Sequence, residues 1–195
     1  MGGFFLTIKN NKTMSVTQEQ INEWKEKHGG VYALPVEDKT GYLREPNMND
    51  YKRAFSAMQK NGDIAFGEEL LSALWLGGDE AIKTQDEYFL TAKKVLIDFF
   101  NYPDAIINNI AKGKTEILIG DERCVIRVIT REDLKLSEKR NPTGKPFVTQ
   151  EALFNMVCED KTEGFEDVKR AEIRFPLYQA IESLQNKKIG QLKKL

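Results

Sequence analysis

The sequence holds one histidine and two cysteines in 195 residues, and that scarcity removes several kinds of chemistry. One His and two distant Cys cannot assemble a zinc set. His28 sits in Lys27-His28-Gly29-Gly30, the pattern of a helix end, where a cation suits the helix dipole better than it suits general-base work. Cys124 and Cys158 each lie among apolar residues with no activating His nearby in sequence. They read as reduced core thiols, not as a disulfide or a nucleophile. No apolar run approaches the roughly 18 residues of a membrane span. A net charge of −1 gives no bulk attraction to nucleic acid or anionic membrane. Gly113-Lys114-Thr115 looks like the end of a phosphate loop, but Asn108 stands where the first glycine belongs, and a strand-like run follows where a helix is required. No Asp-x-Asp-x-Asp-Gly calcium loop occurs. These absences leave no expected catalytic residue, metal or cofactor.

Residues 1–13 (MGGFFLTIKNNKT) lack the basic start, long apolar stretch and small-residue site of a secretory signal. Leu6 stands where a myristoylation signal wants Ser or Thr. The segment reads as an extension, either upstream of a natural start at Met14 or loosely attached.

What the chain does have is 41% hydrophobic and 30% charged residues, enough to bury a core. It also resembles itself. At an offset of 83 residues, 36–52 (VEDKTGYLREPNMNDYK) falls on 119–135 (IGDERCVIRVITREDLK) without a gap. Asp38, Arg44, Asp50 and Lys52 meet Asp121, Arg127, Asp133 and Lys135. At the same offset Glu68, Leu70, Leu71 and Leu74 meet Glu151, Leu153, Phe154 and Val157. This pattern predicts one module written twice.

Each copy opens with two short β-prone runs around a turn: 31–36 and 42–44 in the first, 115–119 and 124–129 in the second. A helix should follow Pro46, with Tyr51, Phe55 and Met58 on one stripe, and a weaker one should start near Thr130, carrying Leu134 and Leu136. Another helix is expected from an Asp63 cap to about Leu76, and its counterpart from a Thr149 cap to Cys158. Thr84-Gln85-Asp86-Glu87 reads as a capping box for a greasy helix that Pro103 ends. Leu177 to Leu184 should be helical, and so should Thr17 to Lys27, stopped by Gly29-Gly30.

The expected class is α+β and helix-rich: a first hairpin-plus-helices module over 14–104, a linker near 101–114, a second module over 113–186 and a basic tail over 187–195. The two hairpins could share one small antiparallel sheet, or each could be covered by its own helices. Charge is unevenly shared: residues 1–110 hold 12 basic and 16 acidic side chains, and residues 111–195 hold 17 and 14. Such a polar molecule could self-associate. Arg123, Arg127 and Arg131 are faced by Glu122, Glu132 and Asp133, a mixed-charge surface that argues against a nucleic-acid interface.

What remains is apolar surface. Trp75-Leu76 precedes a Gly-Gly turn, and Phe89, Phe99, Phe100 and Tyr102 follow in sequence. That is a large apolar load for a small module, and exposed patches of this sort mark partner sites.

Residues 29–100 resemble small phage proteins of the tail assembly chaperone type. The resemblance rests on a hairpin ending in Leu43-Arg44-Glu45-Pro46, on Trp75-Leu76-Gly77-Gly78-Asp79-Glu80 after a helix, and on the Thr84-to-Glu87 box. It departs from the family plan in length. In the second copy Arg127 is followed by Val128-Ile129 and Cys158 by Glu159-Asp160. The resemblance implies a binding protein of the bacterial host cytoplasm with no enzymatic activity. Its partner would be a tape-measure protein or another phage structural protein, and its candidate contacts Tyr51, Phe55, Trp75, Phe89 and Phe99. The alternatives are a structural virion component forming a ring in the neck or tail and, further off, a nucleic-acid-binding regulator.

Overall fold

The computed structural model describes residues 16–185, so the readings made for residues 1–13, for Met14 and for the tail 187–195 lie outside them. The architecture is α+β. The described residues fall into two compact units, 16–45 with 74–95 and 46–73 with 96–185.

In the first unit, Thr17 caps α1 (Gln18–His28) through a reciprocal box with Gln20. Strands β1 (Val31–Val36), β2 (Lys39–Arg44) and β3 (Trp75–Gly78) form an antiparallel sheet in that order. A short helix α4 (Ala81–Thr84) follows, then residues 86–95 of α5 (Asp86–Phe99). Leu34, Val36, Leu43, Ile82 and Phe89 form the core. Two tryptophans clamp the sheet at its glycines. The Trp75 ring lies so close to Gly41 that a Cβ there would sit 2.4 Å from it. The Trp24 ring lies over Gly77, where a Cβ would sit 2.8 Å away, and packs on Tyr42 at 5.9 Å. Gly41 and Tyr42 are successive strand residues, so the two rings press on opposite faces.

The second unit contains α2 (Met48–Asn61), residues 63–73 of α3 (Asp63–Leu74) and a four-stranded antiparallel sheet. The sheet order is β4 (Ile106–Asn109), β5 (Thr115–Ile119), β6 (Glu122–Ile126), β7 (Cys158–Lys161). Helices α6 (Arg131–Lys139) and α7 (Val148–Val157) lie between β6 and β7 in sequence, and α8 (Ala171–Gln185) comes last. Helix α7 packs on α6 and α8, and α8 lies against β5. Ile117, Ile126, Leu153, Phe154, Phe165, Leu177 and Ile181 are sealed in this core.

The two runs of elements share their register. Tyr32 pairs with Leu43, and Thr115 with Ile126. Gly41 opposes Gly78 and Leu43 opposes Trp75; Cys124 opposes Lys161 and Ile126 opposes Cys158. Each second pair stands 83 residues beyond the first, and so does the register break, at Tyr42/Leu43 and at Val125/Ile126. The helix caps keep the same spacing: Asn47 with Asp50 opens α2, and Thr130 with Asp133 opens α6. Arg44 and Arg127 each donate to the carbonyl of the next residue. Arg127 also forms two hydrogen bonds with Asp133, at 2.7 and 2.8 Å, and one with the Met156 carbonyl. The fork ties the end of β6 to the start of α6 and the end of α7.

Of the two arrangements left open for the hairpins, the separate one holds: each gains its own third strand, β3 or β7. Four readings of the sequence are corrected. The helix expected to run to Leu76 ends at Leu74, because Trp75 and its neighbours pair with β2 instead. Thr84 does not cap α5. Its hydroxyl donates to the Glu80 carbonyl at the start of α4, and the Gln85 carbonyl takes the amides of Tyr88 and Phe89 in the first turn of α5. Thr149 is not the cap of α7, which starts at Val148 after Phe147. The expected linker also contains a strand, β4.

Both tryptophans of the chain belong to the first unit, so their fluorescence reports on it alone. Gly41→Ala should destabilise that unit by about 1–3 kcal/mol in thermal or urea unfolding followed by fluorescence. Gly30→Ala, whose Cβ would meet the Tyr32 ring at an ordinary 3.4 Å, should change little. The Arg127 guanidinium, aided by the Thr130 hydroxyl and amide, holds the Asp133 carboxyl well below the usual carboxylate range. A depressed folded-state value contributes stability that is complete above the unfolded value and is lost as pH falls below it. The stability gap between wild type and Asp133→Asn should therefore shrink between about pH 5 and about pH 2 in urea titrations.

Candidate functional site

An open groove of about 770 Å³ runs along α2 in the second unit. Arg53, Ser56, Ala57 and Lys60 fall at i, i+3, i+4 and i+7 on that helix and line one wall. Thr143, Lys145, Pro146 and Val148 line the other, and Glu69 of α3 closes the rim. The small side chains of Ser56 and Ala57 leave the space; the aliphatic faces of Pro146 and Val148 make the opposite side apolar.

The wall at 143–148 is strapped. Asn141 donates through Nδ2 to the Lys145 carbonyl (2.8 Å) and the Thr149 hydroxyl (3.0 Å), and its Oδ1 accepts from the Lys145 amide (2.8 Å). Gln59 of α2 donates to the Gly144 carbonyl. Phe147 is held at φ 64°, a left-handed conformation that costs a bulky residue about 1–3 kcal/mol. Its ring stacks on Tyr178 at 5.6 Å and meets Phe55 at 5.1 Å and Phe175 at 5.8 Å edge-on. Three such contacts, at about 0.5–1.5 kcal/mol each, are enough to hold that backbone in place.

The rim is cationic. Lys52 pairs with Glu151 at 3.1 Å, and Arg53 pairs with Asp50 and Glu69. Lys60 and Lys145 have no ion-pair partner among the described residues. Beneath this wall Tyr178 is buried, and burial, with the Glu151 charge adding to it, pushes its hydroxyl far above the ordinary range. Arg174, 2% exposed, donates through Nη2 to the Phe165 carbonyl and stacks over Phe154, while its Nε and Nη1 find no acceptor.

A smaller hollow of about 330 Å³ carries Asp104, Asp121, Glu122 and Glu172 around Arg170. Two of its four carboxylates are engaged: Glu122 accepts from the Thr162 hydroxyl and the Gly164 amide, and Arg170 pairs with Glu122 and Glu172. Among the described residues no group of three or more His, Cys, Asp or Glu is placed to hold a metal ion. No described helix is long and apolar enough to cross a membrane.

The five residues named from sequence part company. Trp75 and Phe89 belong to the first unit; Tyr51, Phe55 and Phe99 belong to the second. Tyr51 and Phe89 are core side chains, 4% and 7% exposed. Trp75 is half-buried over Gly41, its indole donating to Glu80 at 3.0 Å under the Lys83 ammonium. Phe55 is half-buried among Phe66, Phe147 and Phe175, behind the groove wall. Phe99 is 60% exposed, and its ring meets that of its neighbour Phe100 edge-on at 5.0 Å. The groove residues themselves escaped the sequence reading; the signal was a small-residue stripe on an otherwise charged helix face.

Comparison with known protein families, with curated proteins and with solved structures finds no match.

Burial pushes the Cys124 thiol up to about 12 and raises Cys158 as well. Both should be protonated at neutral pH and poor nucleophiles. Titration with an aromatic disulfide near neutral pH should modify Cys124 only on unfolding and the half-exposed Cys158 slowly; rapid native modification of Cys124 would contradict this burial.

Proposed function

We propose that this chain is a non-catalytic binding protein of the phage tail assembly chaperone kind, shielding an apolar helical segment of a tape-measure protein in the host cytoplasm during tail morphogenesis. The observation that supports this reading is the α2 groove, which joins an apolar floor to a cationic rim. An amphipathic helix, about 10–12 Å across, would lay its apolar stripe over Ser56, Ala57, Pro146 and Val148. Acidic residues flanking that stripe would meet Lys60 and Lys145. The half-buried rings behind the wall, Phe55 and Phe147, fix its shape before the partner arrives, which lowers the ordering cost of binding.

The same reading takes the second run of strands and helices as a diverged copy of the first. The shared offset of 83 residues in strand pairing, register break and helix caps supports it. A second reading, a neck or tail component assembling into a ring, draws on the open apolar edge of β4.

Ala57→Arg fills the groove from a half-buried position on α2. In co-expression pull-down with the tape-measure protein of the same genome, it should weaken capture at least about tenfold while the circular dichroism stays native. Undiminished capture would contradict the groove as the binding site.

A further inference from the structure

Helix α1 buries none of its eleven side chains. In the same unit α4 seals Ile82, and α5 seals Phe89 and Ala92, in the core. The side-chain hydrogen bonds of α1 stay at its own N-terminal end, Thr17 with Gln20 and Gln18 with Asn22. Among the described residues none of its side chains forms an ion pair or a hydrogen bond with the sheet. Trp24 makes the contact instead, and Ile21, one turn earlier on the same side, is the other half-buried apolar residue of the helix.

The Trp24 ring rests on a row that crosses the sheet, Ala33 opposite Tyr42 and Tyr42 opposite Gly77. The buried Leu34 and Leu43 are the next residues along β1 and β2, so this row lies on the face turned away from the core. Gly77 lets the ring down onto the backbone; a Cβ there would sit 2.8 Å from it. The helix stops at Gly29, whose φ of 79° and ψ of −87° suit glycine alone, and Gly30 follows before β1. A helix of this length is marginal in water by itself, even with its capping box and with Lys25 and Lys27 in its last turn. Formation and docking of α1 are therefore one event.

We propose that α1 is a releasable strap: it lifts from the β1–β2–β3 sheet as a unit, with Gly29-Gly30 as hinge and Trp24 as latch, and bares Tyr42 and Gly77 while the sheet stays folded. The sheet survives because its core residues, Leu34, Val36, Leu43, Ile82 and Phe89, and the Trp75 ring on Gly41 do not depend on α1.

Native-state amide hydrogen exchange of the full chain tests this. Residues 21–28 should be protected about 10- to 1000-fold, exchange together, and open at least about tenfold more often than β2. Gly77→Ala, which displaces the ring without altering α1, and Trp24→Ala should each cut that protection to less than about threefold. A closed strap adds its closing free energy to the unit, so in Trp24→Ala the protection of β2 should fall by the factor that α1 loses and no further. Trp75 then reports the sheet alone, and should keep its native emission and a cooperative urea transition. An α1 that exchanges only together with β2 would overturn the proposal, as would an α1 without protection in the wild type. So would α1 protection that survives both variants, or a Trp24→Ala chain whose sheet is lost with the helix.

Discussion

The ring of Phe175 on α8 is the point on which the second unit depends. It meets Tyr51 at 5.3 Å, Phe55 at 6.2 Å, Tyr102 at 6.2 Å and Phe147 at 5.8 Å. Through Tyr51 and Phe55 it fixes α2; through Phe147, backed by Tyr178, it fixes the loop that faces α2. Both walls of the groove are therefore referred to one helix. Edge-on and tilted ring pairs have geometric preferences that aliphatic contacts lack, so the cluster sets a distance and an angle as well as contributing burial. The groove is open because the side chains that would fill it, at 56 and 57, are small, while the large ones turn behind it.

The first unit is arranged around a different constraint. Its sheet is thin at Gly41 and Gly77, and a tryptophan occupies each gap. Trp75 therefore has a structural task, whatever part of its edge stays in water. The same holds for Arg127 and Asp133 in the second unit, where one ion pair is also a helix cap and a link to α7. Buried charge is used less well at Arg174, where two guanidinium nitrogens lack acceptors. Such a group is held in place by its one bond to Phe165 and by the face of Phe154, at a net cost in desolvation.

Much of the fold could be read from the sequence where local chemistry is decisive. The glycine stop of α1 at Gly29, the two turns between β-prone runs and the stripe of α2 each depend on residues a few positions apart, and each appears where expected. The missed strands depend on distant partners. Trp75-Leu76 continues the apolar spacing of Leu70, Leu71 and Leu74, so nothing local says that the helix must stop; the edge of β2 decides it. Cys158-Glu-Asp-Lys161 has little β-propensity and becomes a strand only because β6 offers it hydrogen bonds. Ile106–Asn109 was too short to stand out from a linker. The Thr84 box failed because the hydroxyl found a nearer carbonyl, that of Glu80. The functional candidates fared differently for a related reason. Large aromatics are conspicuous in a sequence, and the physics that makes them conspicuous also buries them, as with Tyr51 and Phe89. A groove is made by what is small, and Ser56 and Ala57 draw no notice until Pro146 and Val148 are seen across from them.

Recognition on the α2 groove, as proposed, takes place on a surface shaped in advance by the aromatic cluster. Amide hydrogen exchange, measured on the chain alone and with a helical segment of the tape-measure protein, addresses it directly. Exchange should slow at residues 52–61 and 143–148 on binding, with β1, β2 and β3 unaltered. Protection confined to residues 31–44 and 75–78, or no change anywhere in the presence of that partner, would contradict it.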